Sequence, residues 1–190
     1  MKSLKPITRI LITVSALALI ATFFVPLWQI LMWAPQYPEG LEMKIWHNTL
    51  TGEVRTISAL NHYIGMKTIE TSMFPEFGYI VYIIGFIIAF GLASAIINKR
   101  FMLVSFLGLI LATGFAALID FYLWGYDYGH NLNPEAPIKI EGMSYQPPLI
   151  GTKQLLNFTA FSGPDIGGWI FIGIAGVLLG LLVYEWKWNK

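Results

Sequence analysis

Apolar residues along this chain are concentrated in four blocks, and each block is long enough to cross a lipid bilayer. The blocks cover residues 10–33, 79–97, 101–124 and 166–186. A transmembrane helix needs about 20 mainly apolar residues, and none of the four blocks carries a charge at its centre. The pattern therefore predicts four transmembrane helices, with two long polar segments between them at residues 34–78 and 125–165.

Lysine and arginine residues in the flanks of these blocks predict the orientation. Seven of them lie at the termini or in the short link between the second and third blocks: Lys2, Lys5, Arg9, Lys99, Arg100, Lys187 and Lys190. The two polar segments hold only five, namely Lys44, Arg55, Lys67, Lys139 and Lys153, beside nine of the eleven acidic residues. Because short cytoplasmic loops are enriched in lysine and arginine, we expect both termini in the cytoplasm and both polar segments outside it.

The first apolar block admits a second interpretation, because a basic start followed by an apolar run is also typical of a cleaved signal peptide. The run is longer than a signal peptide requires, and no small-x-small cleavage site follows it at the usual distance. We therefore interpret the block as a retained span, with a kink expected at Pro26. Tryptophans at the predicted span ends indicate an aromatic belt in the headgroup layer: Trp28, Trp33, Trp124, Trp169, Trp186 and Trp188.

Composition narrows the range of functions. Hydrophobic residues make up 56% of the chain and charged residues 12%, about half the charged share of a soluble domain. A net charge of +1 creates no field that would attract nucleic acid. Cysteine is absent, which excludes c-type haem attachment and cysteine-held iron–sulfur clusters. Since no catalytic motif is recognisable either, we expect a protein that is not an enzyme.

Small residues recur at four-residue spacing in three of the spans. They are Gly85, Ala89 and Ala93, then Gly108, Ala112 and Ala116, then Gly176 and Gly180. Small-xxx-small faces let helices approach closely. We favour packing within a four-helix bundle, and the alternative is a contact face for a partner subunit.

Matched dipeptides suggest an internal repeat. The pairs are Leu27-Trp28 with Leu123-Trp124, Pro38-Glu39 with Pro134-Glu135, and Leu60-Asn61 with Leu156-Asn157. Duplication and chance similarity both remain open. The predicted fold is an all-α membrane protein with four transmembrane helices, whose two long extracytoplasmic loops form a small outer domain, with a two-fold repeat as one interpretation. Within the first loop, residues 41–47 alternate as in a strand, residues 48–52 indicate a turn, and residues 54–57 could return as a second strand.

All three histidines lie in the two polar segments, so the candidate chemistry lies on one side of the membrane. His62 and Met66 are four residues apart and would share one face of a helical turn. Imidazole with thioether is a ligand set suited to copper, particularly Cu(I), and His130 and His47 could complete such a site. The alternative is that the histidines bond to loop backbone and hold the outer domain together.

Three motifs in the polar segments are informative together. They are Asn61-His62-Tyr63-Ile64-Gly65-Met66, Tyr128-Gly129-His130-Asn131 and Pro147-Pro148-Leu149-Ile150-Gly151. With these motifs the chain resembles the small four-span membrane accessory proteins encoded beside clade II nitrous oxide reductases, of the NosB type. The resemblance covers most of the chain. It implies a bacterial inner-membrane protein of denitrification that supports a periplasmic copper enzyme through maturation, copper handling or electron supply.

Three functional hypotheses follow. The leading one is a non-enzymatic inner-membrane accessory protein that docks a periplasmic or membrane protein partner and handles copper through His62, Met66, His130 and His47. The second is a structural subunit of a larger membrane complex with no metal role. The third, a transporter of small molecules or lipids, is disfavoured because the spans lack central polar residues.

Overall fold

The computed structural model describes residues 3–138, 142 and 144–188. Lys2, Lys139 and Lys190, which bear on the predicted orientation, lie outside the described residues. Within that part, four helices are long and apolar enough to cross a membrane. They are α1 (Pro6–Ala18, continued by a 3-10 segment at Leu19–Phe23), α3 (Ile80–Ile97), α4 (Arg100–His130) and α5 (Ile166–Trp188). The expectation of a multi-pass membrane protein is confirmed to this extent, and its orientation stays a prediction.

The four helices form a bundle in which α1 and α4 each pack against α3 and α5. Its core is built from fully buried apolar side chains, and Ile12, Ile87, Leu103, Phe106 and Leu178 have no more than a trace of exposed surface. Within a bilayer such side chains would otherwise contact lipid tails, which are equally apolar, so close van der Waals packing is what stabilises the helix contacts. The bundle is therefore held mainly by apolar packing between neighbouring helices.

Both ends of the chain meet the α3–α4 link at one end of this bundle. A side-chain oxygen of Glu185, on α5, accepts hydrogen bonds from Lys5 N (2.9 Å) and Thr8 Oγ1 (2.5 Å) at the start of α1. Asn98, which ends α3 with a left-handed backbone, accepts a bond from Leu4 N at 3.0 Å. A carboxylate at a helix N-terminus is electrostatically favourable, so this cluster fastens three helices together.

At the other end of the bundle, both long polar segments fold into a single antiparallel sheet. The strands are β1 (Trp28–Ala34), β2 (Tyr37–Ile45), β3 (Leu50–Gly52), β4 (Gly151–Leu155) and β5 (Phe158–Pro164), in the order β3-β2-β1-β5-β4. The end of the first apolar block supplies β1, the first polar segment supplies β2 and β3, and the second supplies β4 and β5, with β1 paired to β5. The sheet, helix α2 (Val54–Tyr63) and the last turns of α4 make up what we call the sheet domain. The prediction of an all-α fold is therefore wrong, and the protein is mixed α/β.

The error arises in the first apolar block, which was expected to be one helix to residue 33. The helical part ends at Phe23, and Trp28–Ala34 forms the central strand β1. Pro26 stands between the two, and its carbonyl accepts a bond from Gly167 N at 2.8 Å. A central strand made almost entirely of apolar residues reads as a continuous apolar run, so hydropathy alone does not separate it from a helix.

The predicted hairpin in the first segment exists, with a shorter return strand. Leu50–Gly52 pairs with β2, whereas residues 54–57, expected to form that strand, begin helix α2. Gly52 requires a positive φ of 92°, and a Cβ there would lie 2.2 Å from the Glu42 carbonyl oxygen. The chain can therefore turn out of the sheet only at a glycine, and the helix starts directly afterwards.

The internal repeat is not present in the fold. Trp28 lies in β1 while its proposed counterpart Trp124 lies in α4. Asn61 lies in α2, while Asn157 lies in the turn between β4 and β5. Because matched dipeptides occupy different kinds of element, the similarity between the halves is not structural.

The small-residue faces point away from the bundle. A Cβ added at Gly85, Gly108, Gly176 or Gly180 would meet no heavy atom within 4 Å. The favoured interpretation, packing within the bundle, is therefore wrong for these glycines. The close helix contact is made instead at Gly91, where a Cβ would lie 2.6 Å from the Phe106 ring and 2.8 Å from Ala16 Cβ.

Candidate functional site

One face of the sheet is apolar and covers the core of the sheet domain. Ile30 on β1 pairs with Met43 on β2 and with Ser162 on β5, so these residues share a face. Helix α2 and the end of α4 pack against this face, with Ile57 and Tyr128 buried between the layers. The two layers do not fill the space between them.

A cavity of about 280 Å³ remains inside the sheet domain. Its wall includes Ile30, Met32, Met43 and Ala160 from the sheet, and Trp124 from α4. An engineered apolar cavity of about 150 Å³ is large enough to bind benzene. The cavity is therefore large enough for a small apolar ligand.

The three motifs that carry the family resemblance meet at this cavity. Asn61, Tyr63, Ile64 and Met66 from the first motif line it, together with Tyr128 from the second and Pro147 from the third. These segments lie far apart in the chain. Their convergence makes the cavity the candidate functional site.

The first motif reaches the cavity through the end of helix α2. The Asn61 carbonyl accepts bonds from Ile64 N (3.2 Å) and Met66 N (2.9 Å), which closes the helix. Gly65 then takes a positive φ of 83°, and its carbonyl accepts a bond from Asn133 N at 2.8 Å. The chain reverses at this glycine, and the Met66 side chain becomes buried at the cavity wall.

The second motif places Tyr128 in the cavity wall. Its hydroxyl donates a hydrogen bond to the Lys67 carbonyl. Gly129 then allows the following loop to pass close by, because a Cβ there would lie 2.3 Å from Gln146 N. The Gly129 carbonyl accepts a bond from Tyr145 N at 3.0 Å. The glycine of this motif therefore brings Tyr145 against helix α4.

The third motif is fixed to the sheet through Ser162, which is fully buried on β5. Ser162 Oγ donates to the Leu149 carbonyl at 3.1 Å and accepts from Trp28 Nε1 at 2.8 Å. This chain of bonds holds the loop of Pro147 against the sheet. Pro147 thereby closes one side of the cavity.

Tyr145 stands out among the residues that line the cavity. The side chain is only 2% exposed, and its hydroxyl has no hydrogen-bond partner among the described residues. A buried polar group without a partner costs about 1–3 kcal/mol. The wall of the cavity therefore contains one buried hydroxyl that has no partner among the described residues.

The residues expected to bind copper lie in different environments. His62 lies on the exposed side of α2, next to the Tyr63 ring, whereas Met66 lies past the helix end and is 7% exposed. The two do not share a helical face as the spacing predicted. His130 is exposed at the end of α4, where its ring stacks on Tyr126 at 4.0 Å and its Nδ1 lies 2.9 Å from the Tyr126 carbonyl.

His47 lies near the helix bundle, in the turn between β2 and β3. Its ring meets Phe23 edge-on, with 5.3 Å between the ring centroids. Its Nδ1 is buried and finds no partner among the described residues. Loss of hydration through burial lowers the pKa of His47 from the usual 6.5.

These surroundings do not fit a resident copper site. Across residues 3–138, 142 and 144–188, no three histidine, cysteine, aspartate or glutamate side chains form a group that could hold a metal ion. The soft ligand Met66 faces the cavity, while His62 and His130 are exposed to solvent. The four residues therefore support no mechanistic step through a bound metal.

Sequence reasoning missed the residues that define the cavity. Trp124 was assigned to the aromatic belt, yet it lines the cavity and stacks on Tyr128 at 4.7 Å. Tyr145 and Met32 carried no local signal. Their roles depend on contacts between segments that are distant in sequence. The motif residues Asn61, Tyr128 and Pro147 were the available signal.

Comparison of the chain with protein-family models, with curated proteins and with solved structures finds no match.

Proposed function

We propose that this chain is a non-enzymatic accessory protein of the bacterial inner membrane that serves a periplasmic copper enzyme of the nitrous oxide reductase type. The helix bundle is its anchor, and the sheet domain is the part that engages the partner. The observation that supports this proposal is the convergence of three distant motifs, each part of the resemblance, on one cavity.

The position of the sheet domain supports a docking role. Strand β1 leads out of α1 and β5 leads into α5, so the opposite ends of these strands lie away from the bundle. At that remote end lie the turns of the β1–β2 and β4–β5 hairpins, which we call the hairpin tips. They are joined by a hydrogen bond of 3.2 Å from Asn157 Nδ2 to Gln36 Oε1. Together with the basic residues near the termini, this arrangement supports an orientation in which the tips face the periplasm.

The surroundings of the histidines favour docking over copper transfer by this chain. His62 and His130 are exposed, and Met66 is turned into the apolar cavity. A copper chaperone needs ligands that meet at one ion, with soft sulfur ligands for Cu(I). The proposed contribution to the copper enzyme is therefore assembly or stabilisation of the partner.

The decisive experiment is gene deletion in a bacterium that carries a clade II nitrous oxide reductase. We expect the deletion to lower both the copper content of the purified reductase and the reduction of nitrous oxide by whole cells. Wild type should restore both, and Ala160→Phe, which fills the cavity wall, should not. Thr152→Phe adds the same ring on an exposed site of β4 and serves as the matched control. Full copper loading and activity in the deletion strain would refute the proposal.

A copper titration separates the two versions of this role. Cu(I) binding is measured on the purified protein in lipid nanodiscs, with the triple variant His47→Ala, His62→Ala and His130→Ala for comparison. We expect equal and weak binding. Tight binding that is lost in the triple variant would instead support copper handling by this chain.

A second candidate, a structural subunit of a larger membrane complex, is favoured by the bare surfaces of the bundle. Between Leu111 and Asp120, no residue of α4 is buried. A Cβ added at Gly108 on the same helix would meet only open space. Ala112 and Ala116 are both exposed. In vivo crosslinking from these two positions should yield a defined adduct with a membrane protein if this candidate holds, and only self-quenched or lipid products if it does not.

A further inference from the structure

We propose that the cavity of the sheet domain binds an uncharged acyl compound, whose chain fills the apolar space and whose carbonyl oxygen accepts a hydrogen bond from Tyr145. This ligand goes beyond the accessory role, because the isolated protein would bind it without a partner. The proposal rests on the volume of the cavity, its lining and the one unpartnered hydroxyl in its wall.

The lining determines the polarity of the ligand. Side chains of Ile30, Met43, Ile57 and Met66 form apolar walls, and none of the described lining residues is charged. An ionised carboxylate or ammonium group placed there would lose its hydration without gaining a counter-ion. The buried part of the ligand is therefore neutral.

The Tyr145 hydroxyl determines the position of one polar atom. Tyr128, the neighbouring phenol, already donates to the Lys67 carbonyl. Tyr145 is only 2% exposed and has an unused donor among the described residues. A tyrosine hydroxyl is both donor and acceptor, and a carbonyl oxygen is the acceptor that an ester or amide supplies.

The cavity is accessible from the surface. Tyr63 and Ile138 contribute to its lining and are 54% and 48% exposed. Gln36 and Asn157, at the hairpin tips, also belong to the lining. These residues form a rim at the end of the sheet remote from the bundle, so a ligand enters from the aqueous side without unfolding the sheet.

Photolabelling tests the proposal on the full chain in nanodiscs, which avoids competition from detergent. The probe is the methyl ester of a decanoic acid that carries a diazirine, and labelled peptides are mapped by mass spectrometry. We expect labelling of cavity residues, competed by unlabelled methyl decanoate. Labelling confined to the membrane faces of the helices would overturn the proposal.

Two variants, each with a control, locate the site. Ala160→Phe should lower cavity labelling at least tenfold, and Thr152→Phe should leave it unchanged. Tyr145→Phe, which keeps the ring, should weaken competition by methyl decanoate about fivefold through loss of one hydrogen bond. Tyr82→Phe removes a hydroxyl from an exposed site on α3 and should have no effect. Should Ala160→Phe fail to fold, equal competition in Tyr145→Phe and wild type would still refute the proposal.

Two further arms address the charge and the source of the ligand. Decanoate, the ionised acid, should compete more weakly than its methyl ester at pH 8, and equal competition would contradict a neutral site. A phospholipid with the same diazirine in its acyl chain is then built into the nanodisc. Cavity labelling by this lipid supports a bilayer source, and labelling by the added ester alone supports a source in the aqueous phase. Because no partner is present, failure here leaves the accessory role untouched.

Discussion

The helix bundle and the sheet domain are packed to different degrees. In the bundle, Gly91 lets Phe106 and Ala16 approach so closely that a single added carbon would overlap both. In the sheet domain, the apolar face of the sheet leaves about 280 Å³ unfilled and a buried phenol without a partner among the described residues. Protein interiors normally contain few voids larger than a water molecule. The contrast indicates that the bundle is built for rigidity, whereas the sheet domain keeps room for a ligand.

The largest expected effect tests the tight packing of the bundle. Gly91→Val should lower the free energy of unfolding by about 3 kcal/mol, because the side chain would collide with Phe106 and Ala16. The matched control is Gly85→Val on the same helix, where a Cβ meets nothing within 4 Å. SDS-induced unfolding of the purified protein measures both. Similar losses in the two variants would show that the bundle is not closely packed at Gly91.

A somewhat smaller effect is expected at the polar cluster that joins α1 to α5. Thr8→Val keeps the volume but removes the donor that lies 2.5 Å from Glu185 Oε1. Both residues are fully buried, so the loss should cost about 2 kcal/mol. Thr13→Val is the control, since the Thr13 hydroxyl donates to the Arg9 carbonyl of its own helix. Equal unfolding curves for Thr8→Val and wild type would remove the cluster as a fastening point.

Removing the buried Tyr145 hydroxyl from the sheet domain should have the opposite effect and increase stability. Tyr145→Phe removes the buried hydroxyl that has no partner among the described residues, and should raise the stability of the ligand-free protein by about 1 kcal/mol. Tyr128→Phe removes a hydroxyl that bonds to the Lys67 carbonyl, and should lower it by about as much. Thermal unfolding in nanodiscs compares the two. A loss of stability in Tyr145→Phe would mean that its hydroxyl is already satisfied.

The smallest expected effect is a pH dependence at the junction of the two regions. Burial lowers the folded-state pKa of His47 below the ordinary 6.5. As the pH falls through 6.5, the unfolded chain therefore takes up a proton before the folded protein does, and stability decreases between 6.5 and the lowered folded-state pKa. His47→Gln should flatten this part of the pH profile of thermal unfolding. His62→Gln, at an exposed histidine, is the control. An unchanged pH profile in His47→Gln would show that a group other than His47 causes the pH dependence.

The sequence was informative where local composition determines structure. Apolar length is sufficient to define helices α3, α4 and α5, because a span has to satisfy its backbone groups internally. The same criterion failed at Trp28–Ala34, since an apolar run before Pro26 and one after it look alike although one is helical and the other a strand. The sheet depends on β1 pairing with β5, which lies far along the chain. No local pattern contains that pairing.

The same distinction between local and long-range information applies to the candidate site. The motifs of Asn61, Tyr128 and Pro147 were recognised, and all three reach the cavity. The copper hypothesis stays a prediction, but its expectation that His62 and Met66 share a helical turn is wrong. The helix ends at Tyr63, and Gly65 redirects the chain. Side-chain spacing predicts a shared face only while the helix continues.

Helix α4 connects the bilayer to the cavity as a single rod. Its 31 residues span about 46 Å at 1.5 Å per residue, well beyond a hydrocarbon layer of about 30 Å. At one end of α4, Leu103 and Phe106 are buried in the bundle core. At the other end, Trp124 and Tyr128 line the cavity. No residue from Leu111 to Asp120 is buried by the protein. Bilayer thickness acts on helix tilt, so the position of Trp124 and Tyr128 in the cavity wall is coupled to how α4 sits in the membrane.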